Sequence, residues 1–208
     1  MLVNISGWEA TPLIGLCEVE NERCLHDLCV RLKRFHYKYV HYDSPDERGI
    51  DVALLYDSTQ VKVLNSKPLH VDLQGDNTRD ILYTSVLIHG HDTLHTMVCH
   101  LPSALGGETA TEWKRYVSKQ LIQQQIDSIL NLQPNAKIVV MGDMNCEPKN
   151  DLRGLNNMMI KQSGTEQGTH KYQGRWSCLD QFYLSSALAP HANAHIFSPK
   201  WLLEEDTK

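Results

Sequence analysis

Apolar runs of strand length recur along the whole chain, and several of them end on a single polar side chain. Many short strands and few helices are the strongest constraint on what this sequence can fold into. "PLIGLCEV" (12–19) is continuous and suits a strand covered on both faces. "YKYVHY" (37–42) alternates, and "IDVALLYD" (50–57) follows the turn signal Ser44-Pro45-Asp46. "QVKVLNS" and "LHVDLQ" alternate and flank Pro68, which predicts two separate strands. "DILYTSVLIHG" and "TLHTMVCHLP" are joined by a short Gly/Asp turn and predict a hairpin. "AKIVVMGD" and "CLDQFYLS" complete the set.

Helical signals are fewer. "NERCLHDLCVRLKRF" places Leu25, Leu28, Cys29 and Leu32 on one face, with Asn21 as N-cap. In "ETATEWKRYVSKQLIQQQIDSILNL" the apolar residues recur at three and four, so this is the longest predicted helix. "NDLRGLNNMM" is a weaker third. Strands outnumber helices and many neighbours read as antiparallel. The pattern predicts an α/β sandwich, with two mixed sheets face to face and helices outside.

A chain of 208 residues suits one domain, and 41% hydrophobic residues are enough for a core that needs no disulfides. The six cysteines form no C-x-x-C pair and read as free thiols. A net charge of −5 argues against a protein held on nucleic acid mainly by electrostatics. No apolar run approaches the length that spans a bilayer. "MLVNISGWEATP" lacks the pattern of a signal peptide, and the compartment stays open because one could lie upstream.

The polar residues at strand ends carry the chemistry. In "GLCEVEN", alternation sends Glu18 and Glu20 to the same face; a carboxylate in an apolar strand asks for a partner or a metal, and a solvated strand end is the equal alternative. His100 ends "MVCHLPS", where a lone His is more often a satisfied rim residue than a catalyst. Arg79 and Asp80 open "TRDIL", most simply as an exposed ion pair or a strand-end charge. Asp180 sits between Leu179 and "FYL", a position from which Asp is normally depleted. "KIVVMGDMNCEP" delivers Asp143 and Asn145 one residue apart, after a Gly that lets the backbone turn closely. One Glu, one Asp, an Arg and a His together describe metal-assisted phosphoester hydrolysis: hard carboxylates for Mg²⁺, cationic or N–H donors for phosphate.

The stretches "PLIGLCEVEN", "SPDERGIDVALLYD", "TRDIL", "CHLPSALGGE", "GDMNCEP" and "GTHKYQGRWSCLDQFYLS" resemble, in order and spacing, the endonuclease/exonuclease/phosphatase family. That family includes pancreatic-type deoxyribonuclease and exonuclease III-like nucleases, and the wording of the motifs is most similar to its bacterial branch. The resemblance implies a four-layered α/β sandwich, spanning residues 1–208 as one domain, with the site at one end of the two sheets. It implies Glu18 as the Mg²⁺ ligand, with Mn²⁺ as a substitute, and Asp143 as the group that orients and deprotonates the attacking water. It implies that Asn145 holds the phosphate and that His100 donates to a phosphoryl oxygen. Glu47 or Asp51 would orient His100, and Arg79 would be a phosphate or structural contact. Asp180 would orient a second histidine. Thr169 and Trp176 would lie on the substrate side. DNA, RNA, phospholipid head groups and sugar phosphates all remain open as the phosphoester substrate.

The chain departs from the family at both edges. The family's Ser-Asp-His triplet is absent, and His191 and His195 lack Ser-Asp before them. The family's first strand carries an Asn near the metal, and Asn4 lies too close to the next strand to match it. The departures read as a truncated member, with weak hydrolysis, a binding role as the alternative, and sheet edges open to self-association. Of the remaining features, His89, His91 and His95 read as an exposed turn, and "RLKRFHYKYVH" reads as the solvated end of a helix.

Overall fold

The computed structural model describes residues 5, 9–104, 107–163, 167–199 and 201. Asn4, Gly106 and the segment 202–208 fall outside the described residues.

Among the described residues eleven strands and two α-helices follow in the order β1 (Leu13–Val19), α1 (Glu22–Arg31), β2 (Tyr37–His41), β3 (Asp51–Asp57), β4 (Val61–Leu69), β5 (Ile81–Ile88), β6 (Asp92–His100), α2 (Glu108–Leu132), β7 (Lys137–Asp143), β8 (Leu155–Asn157), β9 (His170–Tyr172), β10 (Arg175–Ser177) and β11 (Asp180–Ser185). A three-stranded sheet has the order β1-β3-β2, a six-stranded sheet the order β4-β5-β6-β7-β11-β8, and β9 and β10 form a separate ribbon. Every pairing is antiparallel except β6 with β7, which α2 connects as a crossover.

Strand periodicity builds the layers. Along β3, Ala53 and Leu55 face α1 and pack with Leu25, while Val52 and Leu54 face the larger sheet. There they meet Leu82, Val98 and Met141. On the far side of that sheet, Met97, Cys99, Ile138 and Val140 pack against Ile122, Ile126 and Ile129 of α2. The result is helix, sheet, sheet, helix: the four-layered sandwich expected from the sequence. Leu54 is fully buried between the sheets, so truncating it to Ala would cost about 2–5 kcal/mol. Asn21 caps α1 through its side chain, which accepts from the Cys24 N–H at 3.1 Å.

Three local expectations need correction. Pro68 does not separate two strands: β4 runs straight through it. This is tolerated because β4 is an edge strand paired only with β5, so the missing N–H faces no neighbour. The "LHVDLQ" region beyond Leu69 is a loop closed by the bridge Leu73–Asp76, and Val71 and Leu73 are buried in the core without being strand. "NDLRGLNNMM" is not a helix but a turn leading into β8. "PLIGLCEV" is covered on both faces as expected: Ile14 and Leu16 pack on the α1 side and Leu13 and Cys17 against the larger sheet, although as an edge strand β1 stays half-buried from Leu13 to Cys17.

Candidate active site

The strand order converges several polar side chains. His100 and Asp143 are register partners at the ends of parallel β6 and β7, and Asp180 at the start of β11 is paired with Asp143 from the other side. His100, Asp143 and Asp180 thus form one row across three neighbouring strands. Gly142 permits the tight approach beneath them: a Cβ there would lie 1.9 Å from the Cys99 carbonyl oxygen.

β1 crosses over this row from the other sheet. Gly15 sits against Met141, and the Cys17 thiol donates to the Cys99 carbonyl at 3.5 Å. Glu18 follows at the strand's end, exposed, in a left-handed conformation with φ 59° where the β1–β3 register slips. Alternation therefore fails at Glu18, and the expected shared face with Glu20 does not follow from strand period. Such backbone strain in a non-glycine residue concentrates at functional sites.

Asp143 has a pKa raised to about 6, first by burial and then by the charges of Asp180 and Glu18. The Asn145 N–H, donating to Asp143 Oδ1 at 2.7 Å, and His170 work against this rise. His100 Nε2 lies 3.5 Å from Asp143 Oδ2. Burial lowers the His100 pKa to about 4, helped by the charge of Arg48 and opposed by Asp46. His100 Nδ1 is buried without a hydrogen-bond partner among the described residues.

Asn145, with φ 48°, turns its carboxamide to donate to the Leu101 carbonyl at 2.9 Å. That fixes the side chain and leaves a second amide hydrogen and the oxygen for other partners. Arg79 is not an exposed pair with Asp80. Its side chain is 1% exposed and donates to the His100 carbonyl at 2.8 Å, the Leu101 carbonyl at 3.1 Å and Asp46 at 3.0 Å. A phosphate contact is closed to it; it holds the backbone on which His100 stands. Asp80 pairs with His70 at 3.0 Å.

Neither Glu47 nor Asp51 orients His100. Asp51 instead accepts from Ser44 and lies 3.2 Å from His41, and Glu47 is exposed. The charges that bear on His100 come from Arg48 and from Asp46, which in the sequence reads only as part of a turn. Thr169 is an anchor: its hydroxyl accepts from the Leu179 and Asp180 N–H groups at 3.0 and 2.9 Å. Trp176 lines a cavity of about 380 Å³ together with Asp180, Phe182, Phe197 and His195. His195 lines this cavity although no Ser-Asp precedes it. His170, in the quoted "GTHKYQGRW" stretch, was also missed, and its only signal was a histidine in a loop.

The charges of Glu18 and Asp180 both bear on Asp143, and none of these three carboxylates forms an ion pair with Lys or Arg among the described residues. An oxygen-rich site with excess negative charge fits a hard divalent cation that keeps much of its water.

The sequence matches the model of the Endonuclease/Exonuclease/phosphatase family over residues 1–208. Among solved structures, it is similar to the human Nocturnin catalytic domain with bound sulfate anion, at 19% identity and a TM-score of 0.67, covering 89% of this chain and 73% of that one. Truncated Caenorhabditis elegans TDP2 is similar at 16% identity and a TM-score of 0.65, covering 89% and 73%. The Bacteroides thetaiotaomicron mannosyl-6-phosphatase Bt3783 is similar at 13% identity and a TM-score of 0.62, covering 89% and 74%. At these identities the likeness is one of fold. No curated protein sequence matches.

Proposed function

The chain belongs to the endonuclease/exonuclease/phosphatase family, and on that premise we propose that it is a Mg²⁺-dependent phosphoester hydrolase. The observation that carries the reading is the row His100–Asp143–Asp180 facing Glu18: a proton acceptor, a neutral donor and excess carboxylate charge at one end of the two sheets. A phosphatase among the similar folds, and a sulfate on another, support a phosphate-sized anion as the group recognised.

Glu18, with Asp143 and Asp180 nearby, would hold Mg²⁺, or Mn²⁺ in its place. Bound there, the ion would supply Lewis-acid polarisation of the phosphoester. Asp143, with its pKa near 6, is ionised at neutral pH and takes the proton of the attacking water. His100, with its pKa near 4, stays neutral and donates an N–H to the phosphoryl oxygen as charge builds. Asn145 offers its remaining amide hydrogen to the same phosphate. Arg79, Thr169 and Asn145 position these groups through the backbone. The wording of the motifs, most similar to the bacterial branch, supports reading the chain as a single domain of that branch.

The test is hydrolysis of bis-p-nitrophenyl phosphate and plasmid DNA with and without Mg²⁺. Turnover that needs Mg²⁺ and disappears in D143N supports the reading; turnover indifferent to both would refute it. A second reading, a member that binds but does not cleave, is favoured by one observation: among the described residues histidines pair with Asp51, Asp80, Asp92 and Asp143 but not with the Asp180 carboxylate. Mg²⁺ binding that depends on Glu18, with no turnover, would select it.

A further inference from the structure

The basic stretch "RLKRFHYKYVH" ends on a residue that the proposed hydrolysis does not use. His41 closes β2, Asp51 opens β3, and Asp43 lies in the loop between them. One ligand atom from each lies within 4.8 Å of the others. The side chains of His41 and Asp51 are only 5% and 8% exposed, whereas Asp43 faces solvent. His41 Nε2 is 3.2 Å from Asp51 Oδ2. The other oxygen, Oδ1, accepts from the Ser44 N–H at 3.0 Å and from the Ser44 hydroxyl. Ser44 thereby fixes one carboxylate oxygen and leaves the second turned toward His41.

Charge is unbalanced here. Among the described residues no Lys or Arg pairs with Asp43 or Asp51; the basic partners of the other aspartates go to Asp46, Asp76, Asp92, Asp127 and Asp151. A buried carboxylate beside a second one is costly without a cation. A plain His–Asp hydrogen bond would explain His41 and Asp51, but it leaves the convergence of Asp43 unexplained.

We propose that His41, Asp43 and Asp51 form a metal site of their own, without Glu18, that takes a borderline divalent transition-metal ion such as Zn²⁺. One imidazole and two carboxylates are a three-ligand set that Zn²⁺ accepts, completed by water from the exposed Asp43 side. The ring nitrogen disfavours Mg²⁺ and Ca²⁺, which take oxygen ligands. Ser44 would hold the ligand carboxylate in orientation, as groups hydrogen-bonded to metal ligands do. The ion would tie the end of β2 to the start of β3. It would also fix the intervening loop, whose Asp46 pairs with Arg79 and whose Arg48 bears on His100.

The test uses the full chain stripped with EDTA. Zn²⁺ is titrated in competition with a chromophoric chelator, Co²⁺ is read by its visible spectrum, and thermal melts are run with and without Zn²⁺. D43N changes an exposed side chain, so it remains informative if H41Q folds poorly. The wild type and E18Q should each bind one Zn²⁺ at this site and gain in Tm. D43N and H41Q should bind it at least tenfold more weakly, and D43N should lose the Tm gain. Co²⁺ should give d–d bands without a thiolate charge-transfer band. Unchanged Zn²⁺ affinity in D43N and H41Q would overturn the proposal. So would affinity lost in E18Q but kept in D43N, or a thiolate band, since these place the ion at Glu18 or on a cysteine. No substrate is involved, so the result stands apart from whether the chain hydrolyses phosphoesters.

Discussion

His100 and Asp143 stand side by side on parallel strands, Nε2 to Oδ2 at 3.5 Å, and burial drives their titrations toward each other. His100 falls to about 4 and Asp143 rises to about 6. At neutral pH the pair is an uncharged imidazole beside an ionised carboxylate that gains a proton easily. That is the order of protonation states a proton-accepting Asp and a donating His require.

The same shifts give opposite pH slopes of stability. Asp143 rises from 3.8 to about 6 on folding, so its ionisation destabilises the folded chain above pH 6 and the penalty fades as pH falls toward 4. His100 drops from 6.5 to about 4, so its contribution is intact above 6.5 and is lost on acidification toward 4. Each is worth about 1–3 kcal/mol. Relative to the wild type, D143N should be more stable at pH 7 and should lose that advantage by pH 4. H100Q should instead gain relative to the wild type between pH 6.5 and 4. Urea unfolding at pH 4, 5, 6 and 7 measures both. Parallel slopes in the two variants would sink the assignment.

Asp180 raises the Asp143 pKa through its charge. Removing that charge in D180N should move the acid limb of kcat/KM for bis-p-nitrophenyl phosphate to lower pH than in the wild type. If Asp180 acts only by orienting another side chain, the plateau will drop while the limb stays in place. A pH profile from 4.5 to 8 at fixed Mg²⁺ separates the two.

Arg79 spends its guanidinium on the His100 and Leu101 carbonyls and on Asp46. R79M should leave Asp46 with Arg48 as its one basic partner among the described residues, on Oδ1, and two carbonyls without their donor, at a cost of about 3 kcal/mol. Its residual activity should show a lower kcat with little change in KM, because the loss is of His100 placement. A variant with wild-type stability and a raised KM would instead make Arg79 a substrate contact. Equilibrium unfolding and steady-state kinetics decide it.

The strand-end residues were legible because a polar side chain closing an apolar run is visible in one dimension. What the sequence hid was set by distant partners. Asp46 reads as part of a turn, yet its role comes from Arg79, 33 residues away. Pro68 reads as a strand breaker, and only the edge position of β4 makes it harmless. Strand β8 has three residues, too few for a period to show. Its place depends on Asn157, which donates to Gln181 at 2.8 Å and to the Lys149 carbonyl at 3.0 Å. His41 and Asp51 were visible singly, but nothing in the spacing said that the β2–β3 loop folds Asp43 back onto them.

Glu18 offers the sharpest separation of stability from function. With φ 59° it occupies a region that costs a non-glycine L-residue roughly 1–2 kcal/mol. It is exposed, so its side chain contributes little packing. Glycine relieves the strain, although it adds unfolded-state entropy. E18G should therefore match the wild type or exceed it in stability by up to about 1 kcal/mol, whereas E18A keeps the strained backbone. Both should lose Mg²⁺-dependent turnover by at least about 10²-fold, since the carboxylate assigned to the ion is gone. Thermal melts beside Mg²⁺ titrations of activity test this. An E18G chain that is less stable than E18A would show that the backbone there is not strained. One that keeps its Mg²⁺ response would move the metal elsewhere.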